Sequence, residues 1–131
     1  KKKKNRGQIR TLLGRLCRFH LWEPNSFGMH KAMTHEDALA EHGPGIKRAY
    51  TYKALNKLIQ GSAADMTKKS MLELYKEGIV AHIQIHDELC LSIENDAQAK
   101  KIVEIMEQAV NLEVPNKVDY EHGKNWGSIN D

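Results

Sequence analysis

Cysteine is scarce in this sequence: Cys17 and Cys90 are the only two among 131 residues. Each sits in an apolar, strand-like stretch. That predicts free thiols and excludes the disulfide framework of a small secreted module. Long apolar runs are missing as well. Nothing approaches the roughly 20 residues of a membrane-spanning helix, and there is no secretory apolar core, so the expected location is the cytoplasm. There is no internal repeat, and no low-complexity segment beyond the lysines at the start. An initiator methionine is also missing, which fits a fragment or a processed product. The composition that remains, 40% hydrophobic and 28% charged, is that of an ordinary globular chain. Its length suits one domain with a modest core.

The net charge of +3 says less than its distribution. Residues 1–31 carry nine Lys/Arg against the single acid Glu23, and the remainder carries eleven against sixteen acids. A basic first segment suits a polyanion such as nucleic acid. The run Lys1 to Lys4 also fits a solvated, disordered start, so residues 1–7 are expected to be a basic tail.

Residues 8–20 read as a β-hairpin. Ile9, Thr11 and Leu13 alternate with more polar positions, Gly14 supplies a turn, and Leu16 to Phe19 return. Residues 23–46 are punctuated by Pro24, Gly28, Gly43, Pro44 and Gly45, the pattern of an irregular insertion. A short helix is predicted inside it, where Thr34 and Asp37 form a capping pattern before Ala38 and Leu39. From about Ile46 to Glu77 the period becomes helical, with Leu55, Leu58, Ile59, Ser62 and Met66 on one stripe. Gly61 predicts a break or kink, and Gly78 an end. Ile79–Ile85 and Leu89–Ile93 read as strands around His86-Asp87-Glu88. Asn95 or Asp96 caps a helix reaching about Asn111, Lys117–Tyr120 reads as a last strand, and Trp126 as an anchor. The expected fold class is α+β, with antiparallel hairpins and a long helix and a second helix on one face.

The chemistry concentrates at His86-Asp87-Glu88. Three polar residues between apolar strands are costly unless they occupy an exposed turn or serve a site. Adjacent carboxylates repel, a divalent cation relieves that repulsion, and Mg²⁺ prefers a few oxygen ligands with water and phosphate. An ordinary polar hairpin turn fits the tripeptide too. Asn56 and Gln60 lie four residues apart and so share a helix face. Their amides suit the hydrogen-bond acceptors that every base pair presents in the minor groove, although a solvated polar face has the same appearance. His82 and His86 have the spacing of a helical zinc pair, but on a strand they lie roughly 13 Å apart. His30, His35 and His42 read as surface residues.

Four motifs in order resemble DNA polymerases of family A, the polymerase-I type. Gln84 with His86-Asp87-Glu88 is similar to the family's third conserved motif, motif C. The run from Asn56 to Asp65 resembles the helix leading into it. Arg10-Thr11-Leu12-Leu13-Gly14-Arg15 is similar to the hairpin after its fingers region. Val114-Pro115 and Asn125-Trp126 fall where the family has such pairs. The 23–46 stretch looks phage-like.

The resemblance implies that residues 1–131 form the C-terminal segment of a right-hand polymerase palm. It implies that Asp87 is a ligand of the catalytic metals, with Glu88 beside it tuning the site or contacting a metal or the primer end, and that His86 supports the primer terminus. It also implies that Asn56, Gln60 and Gln84 face primer-template DNA. Tyr52 belongs to the same row, although many relatives carry a basic residue there. Arg10, Arg15 and Arg18 suit backbone phosphates, although a solvated hairpin face has the same appearance. The reaction implied is two-metal transfer from a deoxynucleoside triphosphate, with Mg²⁺ as cofactor. A second Asp and a nucleotide-binding helix are not in the chain, so other polymerase segments, in cis or in trans, are implied partners and the chain alone is expected to be inactive. The alternative reading is a non-catalytic DNA-binding module that keeps only the primer-template surface.

Overall fold

The structure, a computed structural model, describes residues 7–129. Apart from Gly7, the expected basic tail lies outside the described residues. Two compact units divide the chain, Lys1–Asp65 and Met66–Asp131. The fold is α+β as expected. Among the described residues the strands form three two-stranded antiparallel ladders rather than a common sheet. No helix among the described residues is long and apolar enough to cross a membrane.

In the first unit, β1 (Gln8–Arg10) pairs with β2 (Leu16–Arg18), with Ile9 opposite Cys17. The connection is closed by the Thr11 N–H donating to the Arg15 carbonyl and the Gly14 N–H donating to the Thr11 carbonyl, both at 2.9 Å. The 23–46 stretch is more regular than expected. β3 (Trp22–Pro24) pairs with β4 (Ile46–Arg48), and a bridge joins Trp22 to Met33. α1 (His35–His42) stands between these strands in sequence. It starts as the capping pattern requires, with the Thr34 hydroxyl accepting from the Asp37 N–H at 3.2 Å. Phe19, Ala38 and Ala49 are buried as a small core.

The long helix does not begin near Ile46, because that residue is committed to the ladder with Pro24. A 3₁₀ turn, Thr51–Lys53, intervenes, and α2 then runs Ala54–Lys76 without interruption. Gly61 is therefore not a break. A Cβ there would stand 3.0 Å from the Thr11 methyl and 3.3 Å from Arg15 Nη2. The glycine lets the 11–15 connection approach the helix closely.

In the second unit, Thr67, Ser70 and Leu74 recur at helical spacing on α2 and are buried, Leu74 completely. The helix ends in a Schellman motif. The Ile79 N–H donates to the Leu74 carbonyl at 2.9 Å and the Gly78 N–H to the Tyr75 carbonyl at 3.0 Å, with Gly78 at φ 76°. β5 (Ile83–Ile85) and β6 (Glu88–Cys90) form the third hairpin, shorter than the two apolar runs suggested. α3 (Asp96–Gln108) is capped by Asn95, whose side-chain oxygen accepts from the Gln98 N–H at 2.9 Å. It stops before Asn111, and Ala99 and Ile102 form its buried face. Lys117–Tyr120 is not a strand: the Val118 N–H donates to Glu107 Oε1 at 3.0 Å, so a side chain replaces the ladder partner. Trp126 is not a buried anchor. It opens a 3₁₀ turn closed by the Asn125 and Ser128 side chains, and it is 54% exposed.

Candidate functional site

The third hairpin places Asp87 at its apex. Ile85 pairs with Glu88, so His86 and Asp87 alone make the turn. Two-residue hairpin turns need positive φ where the chain reverses, a place normally held by glycine. Here His86 takes it, at φ 52°. That conformation is uncommon for a side-chain-bearing residue, and such residues gather at functional sites. Gln84 steadies the turn by donating its amide from Nε2 to the His86 carbonyl at 2.6 Å. His86, Asp87 and Glu88 are all exposed, so the Asp87 carboxylate stands at the end of a two-strand ladder, open to solvent.

Glu88 is directed along its own strand. It lies two residues before Cys90 on one strand, hence on the same face, and its Oε1 accepts from Cys90 Sγ at 3.4 Å. Burial, and then this carboxylate, push the Cys90 thiol above its ordinary range. A raised pKa leaves less thiolate near neutral pH, so Cys90 is expected to alkylate slowly, accelerating only as pH rises. Glu88→Gln should bring the pKa down and speed alkylation a few-fold, followed residue by residue by mass spectrometry across a pH series. An unchanged rate would show that the carboxylate does not face the thiol.

The donor chemistry at this apex, carboxylate oxygen, suits Mg²⁺. Among the described residues no group of three or more His, Cys, Asp or Glu side chains gathers to hold a metal. The residues present therefore offer single carboxylate oxygens and not a complete ligand set for Mg²⁺.

The other candidate residues belong to the first unit. Asn56 and Gln60 are exposed on the first half of α2, one turn apart. Tyr52 lies before the helix, in the 3₁₀ turn, and is 78% exposed. Arg10 is exposed and folds over its own turn, with Nη1 donating to the Gly14 carbonyl at 2.9 Å. Arg15 is half-exposed and holds Asp65 from Nε at 2.7 Å and the Gly61 carbonyl from Nη2 at 3.1 Å.

The chain's own motif around Asp65 carries a feature that residue patterns did not single out. Thr11 Oγ1 donates to Asp65 Oδ2 at 2.5 Å, opposite the Arg15 contact, and the Leu12 N–H donates to Ser62 Oγ at 2.9 Å. Asp65 is buried, and a carboxylate inside a helix–loop contact requires such partners. The available signal was the one-turn spacing of Gly61 and Asp65 on a helix beside a Thr/Arg loop.

These features coincide with a family. Residues 1–128 match the model of DNA polymerase family A, and the chain belongs to that family. It is 36% identical over 121 residues to a DNA-directed DNA polymerase of Pseudomonas phage M6, covering 92% of this chain and 15% of that protein. It is 45% identical over 82 residues to DNA polymerase I of Bacillus caldotenax, covering 56% of this chain and 9% of that protein. A DNA polymerase theta of Drosophila melanogaster is 33% identical over 101 residues, covering 64% of this chain and 5% of that protein. The chain thus spans a small part of the length of these relatives.

Proposed function

We propose that this chain is the C-terminal palm segment of a phage-like, DNA-directed DNA polymerase, and that its third hairpin contributes motif C to two-metal nucleotidyl transfer. The observation that carries the reading is the two-residue turn, which presents Asp87 exposed at the apex in a chain of family A. Asp87 holds the metal site from this side. Glu88, drawn along its strand toward Cys90, is a secondary ligand. His86, fixed in a left-handed turn, lies against the primer terminus, and Gln84 keeps the turn in shape while facing DNA. Bound Mg²⁺ would neutralise charge on the entering and leaving oxygens of the transferred phosphoryl group.

Asn56 and Gln60 donate to minor-groove acceptors of the primer-template, with Tyr52 flanking them. Arg10 and the exposed edge of Arg15 meet backbone phosphates. The first unit carries thirteen Lys/Arg against five acids, and the second carries seven against twelve. DNA attraction therefore belongs to the first, and binding should weaken steeply with salt. Leu55 and Ile59 on α2 are 68% and 58% exposed, a degree of apolar exposure that fits cover by the remaining polymerase segments, in cis or in trans.

The test is Gln60→Ala in a polymerase containing this chain. Extension and mismatch discrimination should fall by about two- to tenfold, the worth of one net hydrogen bond, and equally for all four template bases. A loss confined to one template base would contradict the minor-groove assignment, because the shared acceptors carry no such information.

A further inference from the structure

We infer that Asp65 is a positioning residue, whose carboxylate, gripped by Thr11 and Arg15, fixes the rotation of the first half of α2 and so aims Asn56 and Gln60. The inference rests on the reading of Asn56 and Gln60 as a DNA-contacting pair. At 3.6 residues per turn, Asp65 lies about 180° around the helix from Asn56, and Gly61 about 140°. The loop of residues 11–15 thus engages the back of the exposed amide face.

Its grip is directional. Thr11 and Arg15 take different oxygens of the carboxylate, at 2.5 and 2.7 Å. The Leu12 N–H holds Ser62 Oγ, which itself donates to the Leu58 carbonyl at 2.7 Å, and Arg15 also holds the Gly61 carbonyl. Gly61 lets the loop backbone come close enough for all of these. The loop is in turn braced by the Arg15 N–H donating to Thr11 Oγ1 at 3.0 Å.

Such a polar clamp does little for net stability compared with apolar packing, because the Asp65 carboxylate must be desolvated while Arg15 stays half in solvent. What it supplies is orientation. A side-chain tip stands roughly 5 Å from the helix axis, so a rotation of about 10° displaces it by about 1 Å. Hydrogen-bond geometry tolerates only a few tenths of an ångström before the bond weakens. An amide pair that tests base-pair geometry needs its helix held at that tolerance.

The experiment compares wild type, Gln60→Ala, Asp65→Asn and the double variant in a polymerase containing this chain. The readouts are the ratio of kcat/KM for matched over mismatched primer ends, and Tm. Each single substitution is expected to lower the ratio by about two- to tenfold, and the double variant to lower it no further than Asp65→Asn alone, because the clamp acts through the contacts of Asn56 and Gln60. Losses that multiply in the double variant, or a lower Tm with an unchanged Asp65→Asn ratio, overturn the clamp and leave the DNA-reading face standing. An unchanged ratio in Gln60→Ala overturns that face, and the inference with it. If Asp65→Asn does not fold, Thr11→Val takes its place in the same comparison, since it removes one grip and leaves Arg15 on the carboxylate.

Discussion

Asp87→Ala abolishes primer extension in a polymerase that contains this chain, while its Tm and its affinity for primer-template DNA change little. The first part follows from charge. A metal ligand at the point of phosphoryl transfer is worth several kcal/mol of transition-state stabilisation, a loss on the order of 10³-fold in rate. The second part follows from position. Asp87 is exposed at a turn whose backbone is set by the ladder and by Gln84, so its side chain contributes nothing to packing. Asp87→Asn should be nearly as inactive, since shape is kept and charge is lost. Glu88→Ala should reduce the rate less, because that carboxylate is turned toward Cys90. Single-turnover extension, with DNA affinity measured in parallel, separates these cases. Wild-type rates in Asp87→Ala would remove Asp87 from the mechanism.

The purified 131-residue chain binds Mg²⁺ weakly and extends no primer by itself; adding the remaining polymerase segments, in cis or in trans, restores synthesis. The count of ligands decides this. Two close cations need several anionic oxygens, and Mg²⁺ surrenders its water reluctantly. The described residues supply Asp87 with one neighbour engaged by Cys90 and no gathered set of three. Primer extension by the chain alone, by the completed polymerase and by the completed Asp87→Ala polymerase gives the comparison. Robust synthesis by the isolated chain would end the half-site reading. A completed polymerase that binds primer-template yet never extends it would favour the non-catalytic DNA-binding alternative.

What could be read from the sequence was what local rules determine. The β1–β2 hairpin, the Thr34 and Asn95 caps and the Gly78 terminus depend on residues within a turn or two of one another, and all formed as expected. The start of α2 was misplaced because β4 is held by β3, a partner more than twenty residues earlier whose pairing no local period announces. Lys117–Tyr120 has a strand's composition, but the Glu107 side chain takes the Val118 N–H. Gly61 carried a helix-breaking signal, and its meaning lay in a loop fifty residues away. At the candidate site, the turn position of Asp87 was legible from its apolar flanks. The contact of Glu88 with Cys90 was foreshadowed only by strand alternation, and the clamp on Asp65 required seeing two distant segments meet.

The brevity of the third hairpin sets how its sequence can vary. With three residues in each strand and two in the turn, there is no spare pairing to absorb a change in length. One residue added between Ile85 and Glu88 would shift β6 against β5, and side-chain alternation would send its facing pattern to the other side. Substitutions along the flanks change one contact at a time, whereas an insertion or deletion re-aims the apex as a whole. In this stretch the number of residues is as tightly constrained as their identity.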